Sequence, residues 1–357
     1  MKRSARIIFS SLLFLIFSVY VSGQGAYRFD ELTRLPATPV KSQGKTGTCW
    51  VFATNSLLES ELLRSGKGAY DLSEMFVVRQ AYLEHARLFV RFQGHLNFGP
   101  GAQAWDVINV LEKDGLVPQS VLPGMIADEQ KHNHSEMDAA LEGYMESIIE
   151  TNGETLSPVW ANGLGGILSG YLGAFPASFE WKGQEYTPQS FREYLGLNSK
   201  NYIPLTSFKD HPYFDSYVFE SPDNWSMESI YNLPLDGMIQ VINDAIDKGY
   251  SVAWAADVSD PGFDHNNGLA VVPEQDWELM SKEEMEAVFD APVEQRDITE
   301  EMRQQAFNNY STTDDHLMHI IGTATDQKGT RYYIVKNSWG TKNPYDGYLY
   351  VSEAYVR

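Results

Sequence analysis

The chain has 357 residues, of which 43% are hydrophobic and 13% aromatic, so it has ample material for a large globular core. Its formal net charge is −21, and a surface this acidic repels phosphate backbones, which excludes nucleic acid as an expected partner. The single cysteine, Cys49, excludes an internal disulfide and a multi-cysteine metal site, and leaves a buried apolar role or a reactive thiol.

Residues 1–23 predict a secretory signal peptide. Lys2 and Arg3 give it a basic start, residues 7–21 are largely apolar, and small residues precede Gln24. The apolar run is short for a membrane span. We therefore expect a mature chain that begins near Gln24, is periplasmic or secreted, and has no stable membrane insertion after signal cleavage; an uncleaved anchor is the alternative.

Helical patterns dominate the next part of the chain. Apolar spacing predicts helices at residues 50–63, at 71–85 with Ser73 as the capping residue, and at 105–118, where Gly115 marks the end. Later runs of β-branched and aromatic residues predict strands.

These strands are expected at residues 249–257, 267–272, 315–322 and 331–340, and Gly322 is expected to end the third of them in a turn. The helical half of the chain therefore precedes the β-rich half.

Cys49 has the surroundings of a nucleophile. A flexible glycine turn leads to Thr48, a candidate helix cap, and the helix begins just after the sulfur. The positive end of a helix favours the thiolate form of a nearby thiol. Gln43 lies six residues earlier, and its side-chain amide could hold a developing oxyanion together with the backbone N–H of Cys49.

A thiolate needs a base, and a base needs an orienting group. The strand at 315–322 carries two histidines, His316 and His319, and the next strand ends in Asn337-Ser-Trp-Gly340. Residues three apart in a strand point to opposite faces, so the two histidines cannot both face Cys49, and they are poorly placed to chelate a metal.

Three segments together resemble the papain-like cysteine peptidases, in particular the bleomycin hydrolase and aminopeptidase C branch. They are Gln-Gly-x-x-Gly-x-Cys-Trp ending at Trp50, a histidine six residues before Gly322, and Asn-Ser-Trp-Gly starting at Asn337, in this order. The resemblance implies Cys49 as nucleophile, and His316 rather than His319 as base.

The same resemblance implies that Asn337 orients the base, that Gln43 belongs to the oxyanion hole, and that Trp339 shields the Asn337–His316 bond and lines the substrate site. It also implies that a glycine pair binds the substrate backbone. Gly101 matches its first position and Ala102 its second, where glycine is usual. The alternative for this segment is a turn without a functional role.

The implied fold is α+β and two-lobed: a helical lobe carries Cys49, a β-rich lobe carries His316 and Asn337, and the domain spans residues 24–357. Cys49 and His316 are 267 positions apart (316 − 49), against about 130–150 in a minimal enzyme of this type. Large helical insertions are therefore expected at about 125–234 and 273–313.

The expected activity is hydrolysis of peptide bonds by a Cys-His-Asn mechanism without a cofactor or metal, most like an aminopeptidase of the bleomycin hydrolase type. That branch uses a C-terminal arm to hold the substrate amine, and no residues for it follow the strand at 347–352, so the sequence is expected to be a fragment. A papain-like endopeptidase with an open cleft is the first alternative.

A transglutaminase-like acyltransferase and an inactive binding relative are weaker alternatives. His132 and His134 are expected in a solvated loop rather than at a metal. Peptides are the expected partners; a homo-oligomer is compatible with the sequence, which leaves side-chain preference and biological substrate open.

Overall fold

The computed structural model describes residues 27–125, 131–151 and 155–357, so the expected signal peptide lies outside the described residues. The helices are α1 (Cys49–Arg64), α2 (Glu74–Arg91), α3 (Ala104–Lys113), α4 (Ser135–Ile149), α5 (Val159–Leu172), α6 (Pro188–Leu195), α7 (Leu235–Asp247), α8 (Lys282–Ala287), α9 (Glu300–Asn308) and α10 (Glu353–Val356).

The strands are β1 (Phe29–Arg34), β2 (Phe179–Trp181), β3 (Gln184–Tyr186), β4 (Leu205–Thr206), β5 (Asp215–Val218), β6 (Ser229–Asn232), β7 (Val252–Ala256), β8 (Phe263–Asp264), β9 (Leu269–Ala270), β10 (His316–Asp326), β11 (Arg331–Lys336) and β12 (Tyr348–Ser352).

The β-rich lobe is a seven-stranded sheet in the order β1-β10-β11-β12-β9-β8, with β7 also paired to β10. The long strand β10 is its centre, because it pairs antiparallel with β1, β7 and β11. Met318 and Ile320 of β10 pack in the same cluster as Ile239 of α7. Leu317, which directly precedes Met318, packs instead with the helices, because neighbouring residues of a strand point to opposite faces.

The helical lobe is one hydrophobic cluster that takes buried side chains from α1 to α6. Helix α1 lies between the lobes: Leu58 and Leu62 are buried in this cluster, and Ser56 reaches His319 of β10. Cys49 is the first residue of α1, and His316 is the first residue of β10. Since α1 packs against β10, both residues lie at the boundary between the lobes. The α+β, two-lobed fold expected from the sequence is confirmed.

The two segments expected as insertions contain additional structure. Residues 125–234 contain α4 to α6, the β2–β3 hairpin and a small sheet in the order β4-β6-β5, while residues 273–313 contain α8 and α9. Their boundaries stay predictions. Within the described ranges, no helix is long and apolar enough to cross a membrane.

Of two local expectations, one was confirmed in position only and the other was wrong. Thr48 occupies the N-cap position of α1, but its side chain makes no capping bond and instead contacts the Thr46 hydroxyl at 2.6 Å. Gly322 does not end a strand, since β10 continues to Asp326 and shifts its register with β11 there. The glycine is needed for space, because a Cβ at Gly322 would collide with the backbone oxygen of Thr33 on β1.

Ser73 is confirmed as a cap. It precedes α2, and its hydroxyl accepts a hydrogen bond from the N–H of Phe76 at 3.0 Å. The side-chain oxygen thereby satisfies one of the free donors of the first helical turn.

Candidate active site

Cys49 and the start of β10 are neighbours. The backbone N–H of Leu317, the residue that follows His316, is near enough to the Cys49 sulfur to lower the pKa of the thiol. A second backbone donor, the N–H of Trp50, also acts on the sulfur. The indole of Trp50 donates to the carbonyl of Pro100 at 2.9 Å, which fixes the start of α1 against the segment that carries Gly101.

His316 is oriented by Asn337. Its Nε2 lies 2.8 Å from Oδ1 of Asn337, and both residues are buried. The same Oδ1 accepts the backbone N–H of Ser338 at 2.7 Å, which identifies it as the oxygen of the amide. An amide oxygen can only accept, so Nε2 of His316 carries the hydrogen and Nδ1 keeps a lone pair for a proton.

His265 completes this arrangement, and no motif in the sequence points to it. The Nδ2 of Asn337 approaches Nδ1 of His265 at 3.4 Å, so the amide is held at both ends. His265 follows the short strand β8, in a run of Asp and Asn typical of a turn. No spacing in the sequence links it to Asn337, 72 positions later.

Trp339 covers the same group of side chains. Its ring lies 4.7 Å from the ring of His316 and 5.0 Å from that of His265, measured between centroids. The indole is 38% exposed, so one face meets the imidazoles while part of the ring remains accessible. This position limits access of water to the His316–Asn337 bond and leaves apolar surface at the cleft.

Two hydrogen bonds hold the side-chain amide of Gln43 near Asn337. Its Oε1 accepts the hydroxyl of Ser338 at 2.6 Å, and its Nε2 donates to the carbonyl of Thr46 at 2.8 Å. An amide nitrogen has two hydrogens, and the bond to Thr46 uses one of them. The loop that leads to Cys49 thus holds the Gln43 amide in one orientation.

The glycine segment differs from the expectation. The carbonyl of Gly101 accepts the indole N–H of Trp225 at 3.2 Å, and a Cβ at Gly101 would collide with the carboxylate of Asp223. Ala102 is 3% exposed and its methyl group packs in the helical core. The backbone of Gly101 therefore already has a partner from the chain itself, and a substrate contact by Ala102 would have to use its backbone.

Burial dominates the electrostatics of the thiol. It raises the pKa of Cys49 to about 11; the N–H groups of Leu317 and Trp50 lower that pKa, while the negative charges of Asp314 and Asp223 raise it. The sequence-based expectation that the helix end favours the thiolate considered only one of these effects.

The pKa of His316 shifts in the opposite direction. Burial lowers it below the usual value, and the hydrogen bond to Asn337 and the charge of Asp315 only partly oppose this. Taken separately, both groups therefore favour their neutral forms at neutral pH.

His319 belongs to a buried network behind this site. It is fully buried, and its Nδ1 lies 2.8 Å from the hydroxyl of Ser56 on α1. The same hydroxyl accepts a hydrogen bond from Nζ of Lys336 at 2.8 Å. Lys336 directly precedes Asn337, so this network ties the end of β11 to the helix that carries Cys49.

His132 and His134 are buried, not solvated as the sequence suggested. They line a cavity with Met137 and Tyr171, and the carbonyl of His132 accepts the N–H of Lys45 at 2.9 Å. Among the described residues, no group of three or more His, Cys, Asp or Glu side chains could hold a metal ion.

Comparison with known proteins supports the fold and the family. The sequence model of the Peptidase C1-like family matches residues 177–357, which include His316 and Asn337. A solved structure of PepW from Lactobacillus rhamnosis HN001 superposes with a TM-score of 0.69 at 20% identity, covering 91% of this chain and 79% of that one.

Two curated relatives extend over most of the chain. Aminopeptidase G of Lactobacillus delbrueckii subsp. lactis is 22% identical over 377 residues, covering 91% of this chain and 80% of the relative. Aminopeptidase C of Streptococcus thermophilus is 24% identical over 369 residues, covering 89% of this chain and 78% of the relative.

Proposed function

We propose that this chain, which belongs to the Peptidase C1-like family, is a cysteine aminopeptidase that removes residues from the free N-terminus of peptides. In this proposal Cys49 is the nucleophile, His316 the base and later the acid, and Asn337 the residue that orients it. The observation that carries the proposal is the 2.8 Å bond from His316 to Asn337, at the start of the strand whose next residue, Leu317, has a backbone N–H that lowers the pKa of Cys49.

The first half of the reaction forms an acyl-enzyme. Nδ1 of His316 accepts the proton of the Cys49 thiol while the sulfur attacks the scissile carbonyl carbon, and the carbonyl oxygen takes up the negative charge. The imidazolium then gives the proton to the leaving nitrogen, which departs as an amine. A thioester between Cys49 and the N-terminal residue of the substrate remains.

The second half consumes one water molecule. His316 accepts a proton from the water, whose oxygen attacks the thioester carbonyl, and the proton returns to the sulfur as the C–S bond breaks. The products are the free amino acid and the shortened peptide. Because both resting groups favour the neutral form, the proton moves during the attack, and the Asn337 oxygen stabilises the imidazolium that forms.

Gln43 is assigned to the oxyanion hole. Its amide is held by Ser338 and Thr46, and the second hydrogen on Nε2, with the backbone N–H of Cys49, supplies donors for the oxygen. Donors fixed before the reaction need no rearrangement when the charge develops, which is why such groups contribute strongly to catalysis.

The aminopeptidase assignment has two supports. Relatives that align along most of the chain bear the names aminopeptidase G and aminopeptidase C. Negative charges of Asp314 and Asp223 act on the thiol, as suits a substrate with a positive amino group next to the scissile bond. An endopeptidase with an open cleft is the second candidate, but its substrates have no ammonium group next to the scissile bond for these negative charges to attract.

Export is a further part of the proposal and rests on residues 1–23 alone, which lie outside the described residues. Their basic start, apolar middle and small residues before Gln24 are typical of a cleaved secretory signal. The expected site of action is the periplasm or the outside of the cell.

The test uses an aminoacyl-coumarin substrate. Wild-type protein should release coumarin, and Cys49→Ala or His316→Ala should abolish release almost completely. Asn337→Ala should retain more activity, because orienting the base contributes less than forming the bond. His319→Gln, which keeps a side chain able to bond to Ser56, is the matched control and should remain active. Loss of activity in His319→Gln with full activity in His316→Ala would reverse the assignment of the base.

A further inference from the structure

A cavity of about 200 Å³ lies between the start of α4 and the end of α5. The side chains that line it from α4 and the segment before it are His132, His134 and Met137, and those from α5 are Gly170 and Tyr171. No residue assigned above to catalysis is among the described residues that line it. A space of this size holds an ion together with water, or a small molecule.

The imidazole of His134 is buried at this cavity without a partner. The residue occupies the N-cap position of α4, but its side chain makes no capping bond. It is 4% exposed, and neither ring nitrogen has a hydrogen-bond partner within the described part of the chain. Burial lowers the pKa of His134 to about 4, and the nearby His132 lowers it further. The ring is therefore neutral at neutral pH and has one nitrogen lone pair that can bind a ligand.

His132 places a second imidazole at the same cavity. Its ring lies 5.8 Å from that of His134 between centroids, with the planes 74° apart. Two imidazoles that bind one metal ion have centroids at most about 6 Å apart, because each metal–nitrogen bond is about 2.0–2.1 Å long. The two rings are close enough to share an ion.

Met137 adds a sulfur atom to the lining. It is fully buried and follows His134 by three positions, in the first turn of α4. Residues three apart at the start of a helix lie near each other, and both of these residues line the cavity. A thioether is a soft ligand that selects Cu(I), and imidazole also suits copper.

The backbone of this segment is fixed by the loop that leads to Cys49. The N–H of Lys45 donates to the carbonyl of His132 at 2.9 Å, and the N–H of His134 donates to the carbonyl of Lys45 at 3.0 Å. The ring of His132 also meets Phe52 of α1 edge to face, with centroids 6.3 Å apart. A site on a fixed backbone binds its ion without first having to order the chain.

We propose that His132, His134 and Met137 form a binding site for Cu(I), with two imidazole nitrogens and one thioether sulfur as ligands. Structural Zn²⁺ takes further protein ligands from His, Cys, Asp or Glu, and no cluster of three such side chains occurs within the described ranges. The soft sulfur therefore decides the class of metal. The proposal goes beyond the peptidase function, because none of the three ligands takes part in that reaction.

The experiment uses the full chain with Cys49→Ala, because a free thiol is itself a ligand for Cu(I). Under anaerobic conditions, competition with the chelator bathocuproine disulfonate should show one Cu(I) bound per chain. Met137→Leu, which keeps a buried apolar side chain of similar size, should weaken the binding of Cu(I) and leave that of Zn²⁺ unchanged. Met227→Leu, at an exposed methionine, is the matched control and should bind Cu(I) like its parent.

His134→Phe separates a role in metal binding from a structural role. The variant should bind Cu(I) at least about 100-fold more weakly, since even the outer partners of metal ligands change affinity by about 10–100-fold. Phenylalanine keeps an aromatic ring and removes two buried polar atoms that have no partner among the described residues. The metal-free variant should therefore unfold at the same or a higher urea concentration than its parent. Cu(I) should raise the Tm of the parent and not that of His134→Phe.

The opposite results would overturn the proposal. They are no Cu(I) binding to the Cys49→Ala protein, or binding that survives both His134→Phe and Met137→Leu. Equal loss of Cu(I) and Zn²⁺ in Met137→Leu would refute the selection by sulfur. A lower urea midpoint of metal-free His134→Phe would show that the imidazole serves the fold instead. The aminopeptidase proposal is tested separately, with Cys49 intact, and stands or falls on its own assay.

Discussion

The reactivity of Cys49 gives the most direct test of how the site controls its thiol. Burial raises the pKa of Cys49 to about 11, so without a proton acceptor the thiol should be protonated at pH 7. We expect His316→Ala to expose this behaviour, because the variant loses the group that removes the proton. The chain contains one cysteine, so alkylation of the protein reports on Cys49 alone.

The size of the effect follows from two opposing factors. A thiol with a pKa of about 11 is ionised to the extent of roughly 10⁻⁴ at pH 7, against roughly 3% for an ordinary cysteine. The more basic thiolate is also the better nucleophile, by about tenfold for this difference in pKa. Alkylation of folded His316→Ala should therefore be about 30-fold slower than that of the same chain unfolded in urea.

The assay is the rate of iodoacetamide labelling, followed by mass spectrometry between pH 6 and pH 10. The His316→Ala rate should still rise with pH where the unfolded chain has levelled off, and wild type should react faster than the variant at pH 7. His95→Ala, a change at an exposed histidine, should label like wild type. Labelling of folded His316→Ala at the rate of the unfolded chain would refute the dominance of burial.

Three further predictions concern single features. Gln43→Ala should lower kcat on the order of 10²–10³-fold with little change in KM in steady-state kinetics, because an oxyanion donor acts on transition-state charge; a change in KM alone would instead assign Gln43 to substrate binding. Gly322→Ala should destabilise the fold by about 1–3 kcal/mol in urea unfolding, because its Cβ would collide with the Thr33 oxygen; an unchanged midpoint would contradict this. Mass spectrometry of the natural product should find an N-terminus near Gln24, and a membrane-bound form that retains Met1 would exclude signal cleavage.

The lobes and the main elements could be predicted because their signals are local. Helical spacing after Cys49 and the cap at Ser73 need only a few neighbouring residues, and α1 and α2 form there. The alternation along β10 also predicted that His316 and His319 have different surroundings. The first residue bonds to Asn337, and the second is buried against Ser56.

Features that depend on distant segments could not be predicted. His265 meets Asn337 from a loop 72 positions earlier, and Asp223 approaches Gly101 from a loop 122 positions later (223 − 101). From local patterns, Gly322 was predicted to form a turn and Gly101 was predicted to bind the substrate backbone. Both positions instead require glycine because another backbone or side chain lies against them, a requirement set by tertiary contact.

The pKa of Cys49 shows that a prediction from neighbouring residues alone can have the wrong sign. The helix N-terminus predicts a lowered pKa, and the folded chain raises it. A helix N-terminus stabilises a nearby negative charge by about 0.3–1 kcal/mol, which corresponds to well under one pKa unit. Burial raises the pKa of Cys49 to about 11, and Asp314 and Asp223 add to the same shift. Only the folded chain brings these carboxylates to the sulfur, since they come from segments 265 and 174 residues away (314 − 49 and 223 − 49). In the proposed mechanism, thiolate formation therefore depends less on the helix end than on positive charge beside the sulfur, which the imidazolium of His316 and the ammonium group of a peptide with a free N-terminus would supply.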